Sequence, residues 1–226
     1  MELTILLPCL NEEKTLKNVI VEIQQELKKL NISSEILVVD NNSTDNSYKI
    51  AKENGVRIVK EKKKGYGSAL QKGIKKARGK YIIFGDSDQS YSFKYISIFY
   101  ENLKQGNDLV IGNRYLGKME AKAMPLSHKY IGTPLISFLG KILYGIKVKD
   151  FNCGFRGINR KNILNLSLKS MGMEYASEMI IKAKKKNLKI EEFPIDFYKD
   201  KRNGKPHLRT IRDGFRHIKL IFKELR

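Results

Sequence analysis

The sequence predicts an α/β fold, a largely parallel central sheet with helices on both faces. Two observations carry that expectation. Short apolar runs such as Leu3–Leu7, Ile36–Val39 and Lys80–Gly85 read as strands buried on both sides, and segments with helical spacing separate them. Strand and helix signals then alternate, the order that parallel strands joined by crossover helices require. A third observation bears on function: acids stand where these runs end, the edge at which open α/β sheets bind ligands.

Taken in order, Leu3–Leu7 is a first strand, stopped by Pro8. Asn11-Glu12-Glu13 supplies a cap and first-turn acids for a helix to about Leu30, with Leu16, Val19, Ile20, Ile23 and Leu27 on one face. Ile36–Val39 is a second strand ending in Asp40, and the turn-rich Asn41-Asn42-Ser43-Thr44-Asp45 caps a helix through Asn54. Val56–Val59 gives a third strand. Gly65-Tyr66-Gly67-Ser68-Ala69 opens a helix to about Ala77, the Lys80–Gly85 strand follows, and Leu109–Gly112 adds one more before the regularity ends near Arg114. The glycine segment lacks the third small residue of a dinucleotide fingerprint and follows the third strand, not the first; the phosphate-loop spacing is absent too.

Composition bounds the rest. At 226 residues the chain suits one large domain, residues 1–200, with 201–226 as a basic loop and an amphipathic C-terminal helix. Hydrophobic residues at 41% exclude disorder, and a net charge of +20 calls for a polyanionic partner: nucleic acid, acidic lipid or phosphorylated substrate. Cys9 and Cys153 make no disulfide framework and read as reduced thiols. The N-terminus enters a strand without the marks of a signal peptide, and no apolar run is long enough to span a bilayer. The expected location is cytoplasmic, peripheral on the cytoplasmic face of a membrane.

The most pointed chemistry is Asp86-Ser87-Asp88 at the end of the Lys80–Gly85 strand. Two acids one residue apart repel unless a cation holds them, and Mg²⁺ favours a few carboxylates together with phosphate oxygens. A metal-bound diphosphate is the cargo this implies, against the plainer reading that the acids only cap the following helix.

With Asp40, the Asn11-Glu12 turn and the Asp86/Asp88 pair in hand, the chain resembles family 2 glycosyltransferases of the GT-A fold, and among them the dolichyl- or polyprenyl-phosphate sugar transferases. Pro8-Cys9-Leu10-Asn11-Glu12-Glu13 is similar to the P-x-x-N-E-E opening, and Val38-Val39-Asp40-Asn41-Asn42-Ser43-Thr44-Asp45 to the V-V-D-[DN]-x-S-T-D block. Gly112-Asn113-Arg114-Tyr115 resembles G-[SN]-R-[YF], Cys153-Gly154-Phe155-Arg156 resembles [SC]-G-[FL]-R, and Glu174 to Glu178 lies in the block before an amphipathic helix. The resemblance implies that Pro8, Asn11, Glu12, Asp40, Asn42 and Gly65 surround the nucleotide, with Asp40 on the base and Glu12 beside it. Asp86 and Asp88 would hold Mg²⁺ or Mn²⁺ on the diphosphate, and Arg114, Arg156, Arg202 and Lys205 would serve the phosphates. Arg202-Asn203-Gly204-Lys205-Pro206-His207-Leu208-Arg209 resembles a segment that closes, as a mobile loop, over donor and acceptor phosphates. Some relatives carry a Gln two residues past the second acid; Ser90 stands there, leaving the third protein ligand open.

The resemblance implies transfer of a sugar from a GDP- or UDP-sugar donor to a polyprenyl or dolichyl phosphate, with inversion. A lipid phosphate is already ionised and needs positioning rather than a general base. The tail stripe of Ile211, Phe215, Ile218, Phe222 and Leu225, with Arg212, Arg216, Lys219, Lys223 and Arg226 beside it, suits an anionic interface, as does the apolar Tyr130–Ile146 stretch. Either stripe also suits plain packing on the sheet. The competing readings are a glycosyltransferase for a glycan or glycolipid hydroxyl, a sugar nucleotidyltransferase, and a nucleic-acid-binding module. The third leaves the acids at three strand ends unexplained and lacks a recognition motif, so no nucleic-acid partner is expected.

Overall fold

The computed structural model describes residues 1–202 and 210–225. In chain order the elements are β1 (Leu3–Cys9), α1 (Leu16–Leu30), β2 (Ser34–Asp40), α2 (Ser47–Glu53), β3 (Arg57–Lys60), α3 (Tyr66–Lys76), β4 (Tyr81–Phe84), α4 (Ile96–Lys104) and β5 (Leu109–Asn113). They continue with α5 (Thr133–Tyr144), β6 (Arg156–Asn159), α6 (Arg160–Asn165), α7 (Tyr175–Lys185), β7 (Ile190–Pro194) and α8 (Thr210–Lys223). One sheet runs in the order β3-β2-β1-β4-β6-β5-β7, mostly parallel, with β6 antiparallel to both its neighbours. Helices α1, α2 and α4 pack as one group and α3, α6 and α7 as another, so the sheet carries helices on both faces.

Burial follows the apolar runs. All four residues of β4 are buried, and Leu3 to Leu7 of the neighbouring β1 are buried with them, because each strand is covered above and below. At roughly 1.5–3 kcal/mol per fully buried large apolar side chain, these central strands are the main source of the fold's stability.

Three local expectations need correction. Pro8 does not stop the first strand, which runs through it to Cys9. Pairing with β4 has ended at Leu6↔Phe84, so the missing N–H of Pro8 falls on an edge with no ladder bond to lose, and its carbonyl accepts from Ser87 Oγ at 2.9 Å. The first helix begins at Leu16, not at Asn11, because Asn11 and Glu13 spend their side chains elsewhere: Asn11 Oδ1 accepts from Thr44 N (2.8 Å) and Glu13 Oε2 from Asn46 N (3.1 Å). The regularity does not end near Arg114 either, since β6 and β7 complete the sheet.

The reversed direction of β6 decides what reaches the site. Its first residue, Arg156, lies opposite Phe84 of β4 and Ile111 of β5, so the chain entering β6 arrives at the edge where β1, β2 and β4 finish. On the opposite flank α8 docks on α7 and α5, through a 2.7 Å contact of Ser177 Oγ with His217 Nδ1 and a hydrogen bond from the Tyr144 hydroxyl to the Ile221 carbonyl. Burial lowers His217 to about 4, keeping the ring neutral inside this contact. Among the described residues no helix is long and apolar enough to cross a membrane.

Candidate active site

The site is assembled at the C-terminal edge of β2, β1 and β4. Cys9 and Asp40 are paired in register at the ends of β1 and β2, and Asp86 and Asp88 follow β4 immediately. Both cysteines are free, buried thiols pushed up to about 12, mainly by burial, and are therefore unreactive.

Asp40 and its neighbours frame one end. Asp40 Oδ1 accepts from Ser43 N at 3.1 Å, which holds the turn after β2. Asn41 Nδ2 donates to the carbonyls of Glu61 (3.0 Å) and Lys63 (2.8 Å), and its Oδ1 accepts from Gly65 N at 2.8 Å. Asn42, at φ 66°, donates to Lys62 O at 2.9 Å. Both asparagines thus staple the basic 61–65 segment beside Asp40, so Asn42 and Asn11 act by shaping walls, with their amides already bonded to backbone. Gly65 is required by close approach: at φ +136°, a Cβ there would meet Met171 O at 2.2 Å. The loop that presses on it is held by Glu178, whose carboxylate accepts from Ser170 N at 2.7 Å. Gly65 therefore serves the frame and shows no phosphate cradle.

Three carboxylates and a guanidinium form the other end. Arg202 donates from Nη1 to Glu12 Oε1 at 3.1 Å, lies 3.3 Å from Asp88 Oδ2 through Nη2, and grips Asp200 through Nε at 2.7 Å and through Nη2. Burial is the largest influence on Glu12 and pushes it up to about 8 despite Arg202, with the Asp88 charge adding to the rise. Burial likewise raises Asp86, with Asp88 as the second cause. One cation shared among several acids does not offset them all, so without a second cation burial and mutual repulsion favour the protonated forms of Glu12 and Asp86. Asp88 Oδ1 accepts from Ser90 N at 2.9 Å, which fixes the pair's loop, so Ser90 acts through its backbone.

The donor set fits a hard divalent cation. Two closely spaced carboxylates supply hard oxygens, and the buried hydroxyl of Tyr66 lies beside Asp86, where it steadies that carboxylate. Gly154 comes so close that a Cβ would lie 2.9 Å from Asp86 Oδ2. In the Cys153–Arg156 motif it is thus the glycine that faces the acid. Among the described residues no group of three or more acids, histidines or cysteines forms a complete metal cage. An ion such as Mg²⁺ takes part of its oxygens from phosphate and water.

Two arginines stand elsewhere than expected. Arg114 donates through Nε and Nη2 to the two oxygens of buried Asp150, both at 2.8 Å, with its ring-facing side 5.0 Å over Phe197. Arg156 is 1% exposed and gives Nε to Cys153 O (2.9 Å), Nη1 to Ala176 O (2.8 Å) and Nη2 to Phe151 O (2.7 Å). Arg156 is thus bonded into the interior behind the site, whereas Arg114, anchored by Asp150, still acts by its charge on Asp86. Lys205 and the rest of the loop expected to close over the phosphates, residues 203–209, lie outside the described residues.

Asp200, Tyr66 and Asp150 were not anticipated. Asp200 alone left a trace, an acid embedded in the basic run Lys199-Asp200-Lys201-Arg202. Tyr66 and Asp150 are isolated in sequence and acquire meaning only through neighbours across the sheet.

Comparison with known proteins adds the lineage. The family model described as Glycosyl transferase family 2 matches residues 4–166. The low-salt glycan biosynthesis hexosyltransferase Agl6 of Haloferax volcanii is 34% identical over 97% of this chain, which spans 52% of that protein. The chain thus covers about half of that relative's length. The UDP-N-acetylglucosamine--dolichyl-phosphate N-acetylglucosaminyltransferase of Methanococcus voltae is 31% identical over 84% of this chain and 83% of its own. The dolichol-phosphate mannosyltransferase of Pyrococcus furiosus is 29% identical over 99% of this chain and 64% of its own. In fold, glucosyl-3-phosphoglycerate synthase of Mycobacterium tuberculosis, crystallised with Mn²⁺, UDP and phosphoglyceric acid, superposes with a TM-score of 0.77 at 19% identity over 99% of this chain and 78% of that one.

Proposed function

The chain belongs to glycosyl transferase family 2, and from that premise we propose that it moves a sugar from a GDP- or UDP-sugar to a polyprenyl or dolichyl phosphate with inversion. The observation that carries the site assignment is the placement of Asp86 and Asp88 at a sheet edge shared with Asp40, with Arg202 supplying positive charge between them and Glu12. Asp40 recognises the base, and the 61–65 segment walls it. Asp86 and Asp88 hold Mg²⁺ or Mn²⁺, which neutralises charge building on the leaving diphosphate. Arg202 contributes to that neutralisation from the opposite side. A phosphate acceptor arrives ionised, so the chain's task is to orient it behind the sugar and keep water out. The relatives named for dolichyl-phosphate transfer support this acceptor.

Attachment to the bilayer would be peripheral. The outward residues Phe138 and Ile142 of α5 are 56% and 62% exposed, and Phe215 of α8 is 69% exposed. On α8 the inward face is Asp213, His217, Leu220 and Ile221, so Phe215, Phe222 and Leu225 of the tail stripe look outward with Arg212, Arg216 and Lys219 nearby. An apolar stripe rimmed by cations fits an anionic lipid surface.

The test is a donor screen with a polyprenyl phosphate and either Mg²⁺ or Mn²⁺, reading the released nucleotide. Release of GDP or UDP that requires both lipid phosphate and metal is the expected result. Transfer only to a glycan hydroxyl would select the other acceptor class, and release of pyrophosphate would overturn the reaction type.

A further inference from the structure

Between β5 and α5 the chain wraps a cavity of about 330 Å³, near the lower end of the range for small-molecule sites. Met119, Met124 and Leu126 line it, with Lys122 and Lys129 among its walls. The wall is built, not incidental. Met119 bridges to Phe197, Glu120 N donates to Phe197 O at 2.9 Å, and the Tyr115 hydroxyl donates to Lys129 O at 3.0 Å. Among the described residues the one acid on the lining, Glu120, has an oxygen occupied by Lys199 N at 2.9 Å.

The cavity lies between two features described above. On one side, Leu126, 72% exposed, leads to Ile131, Leu135, Phe138 and Ile142, spaced four, three and four residues apart and all exposed. That spacing makes one outward stripe, opposite the buried Thr133, Ile136, Ser137 and Gly140. On the other side, Phe197, paired with Met119 and Glu120 of the wall, begins the segment that delivers Arg202 to the acids, pinned by Tyr198 N to Ser90 O (2.9 Å) and Lys201 N to Asp88 O (3.1 Å). The cavity wall thus adjoins an exposed apolar helix face and pairs with the segment that carries the cation meeting Asp88.

We propose that this cavity holds the phosphate-proximal isoprenoid units of the acceptor, with the rest of the lipid following the outward stripe of α5 and the phosphate turned toward Arg202. This rests on the reading that the acceptor is a lipid phosphate. Methionine sulfur and methylene walls match hydrocarbon and adapt to its branches, while Lys122 and Lys129 complement an anionic head. A glycan acceptor buries hydroxyls, which need donors and acceptors that a methionine wall lacks.

The experiment uses farnesyl phosphate without vesicles, so that membrane binding plays no part. Wild type, Leu126→Asp and Met124→Trp are compared for farnesyl phosphate affinity by calorimetry, with UDP or GDP affinity and inorganic phosphate as controls. Leu126 is exposed, so its variant tests the site without threatening the fold. The expected result is farnesyl phosphate binding that weakens at least about tenfold in both variants, nucleotide binding within twofold of wild type, and no comparable binding of inorganic phosphate. Unchanged farnesyl phosphate affinity in both variants overturns the cavity assignment while leaving a lipid acceptor standing. A wild type that binds and uses no polyprenyl phosphate overturns the acceptor reading itself.

Discussion

The two working surfaces of this molecule solve opposite solvation problems. At the β2-β1-β4 edge, carboxylates are drawn into a partly buried cleft where Arg202 is shared among Glu12, Asp88 and Asp200. Along α5 and α8, large apolar groups are pushed out into solvent while charged residues flank them. Each arrangement is costly alone, since buried like charges repel and an exposed apolar stripe orders water. On the proposed reading each is relieved by its ligand, a cation and diphosphate in one case and hydrocarbon in the other. The contrast teaches that one scaffold holds two surfaces of opposite polarity, with the segment Phe197 to Arg202 bonded to the acidic one through Ser90 and Asp88.

The largest expected effect breaks the first surface alone. Asp88→Asn should lower transfer by about a hundredfold or more, near 2.7 kcal/mol of transition-state stabilisation, with the fold and vesicle binding intact. Turnover at saturating metal, set beside thermal melting and vesicle sedimentation, checks it. Wild-type turnover would remove Asp88 from the metal site.

The second prediction breaks the other surface. Phe138→Asp combined with Phe222→Asp should reduce partition into anionic vesicles by at least about tenfold, because each side chain contributes roughly 1.5–3 kcal/mol when its exposed area is buried. Nucleotide affinity should stay within twofold. Sedimentation and calorimetry on the same preparations check both halves, and loss of nucleotide binding would show that the surfaces are not separate.

The smallest effect sharpens the electrostatic half. Glu12 is raised from 4.5 to about 8, so between those values the folded protein keeps a proton that the unfolded chain has released. Its contribution to stability is full below pH 4.5 and is lost as pH rises through about 8. Metal-free wild type should therefore lose stability across this window, and Glu12→Gln should flatten that loss by upwards of about 1 kcal/mol. Melting curves at pH 5 and pH 8 measure it; equal slopes in the two proteins would mean that Glu12 titrates as an ordinary carboxylate.

Much of this was legible in the chain. β1, β2 and β4 announce themselves because a strand buried on both faces must be apolar at successive positions, and Asp40 at the end of β2 and Asp86 and Asp88 just past β4 stand where those runs put them. The carboxylate pair was likewise visible as two residues one apart. β6 was not, since Arg156-Gly157-Ile158-Asn159 has no strand pattern of its own and is extended because β4 and β5 pair with it on both sides. The outward stripe of α8 was visible as a stripe, yet nothing local said which way it would face.

What the sequence determined by itself is what depends on near neighbours: the alternation of strand and helix, the acids at strand ends, and the excess of positive charge. What only the tertiary structure decided is the fate of each cation. Arg114, Arg156 and Arg202 look alike in sequence, but Arg114 is bonded to Asp150, Arg156 to three carbonyls, and Arg202 to the acids of the site. The physical reason is that a guanidinium takes its role from the acceptors that surround it, and those come from elements far apart along the chain and adjacent only once the sheet has formed.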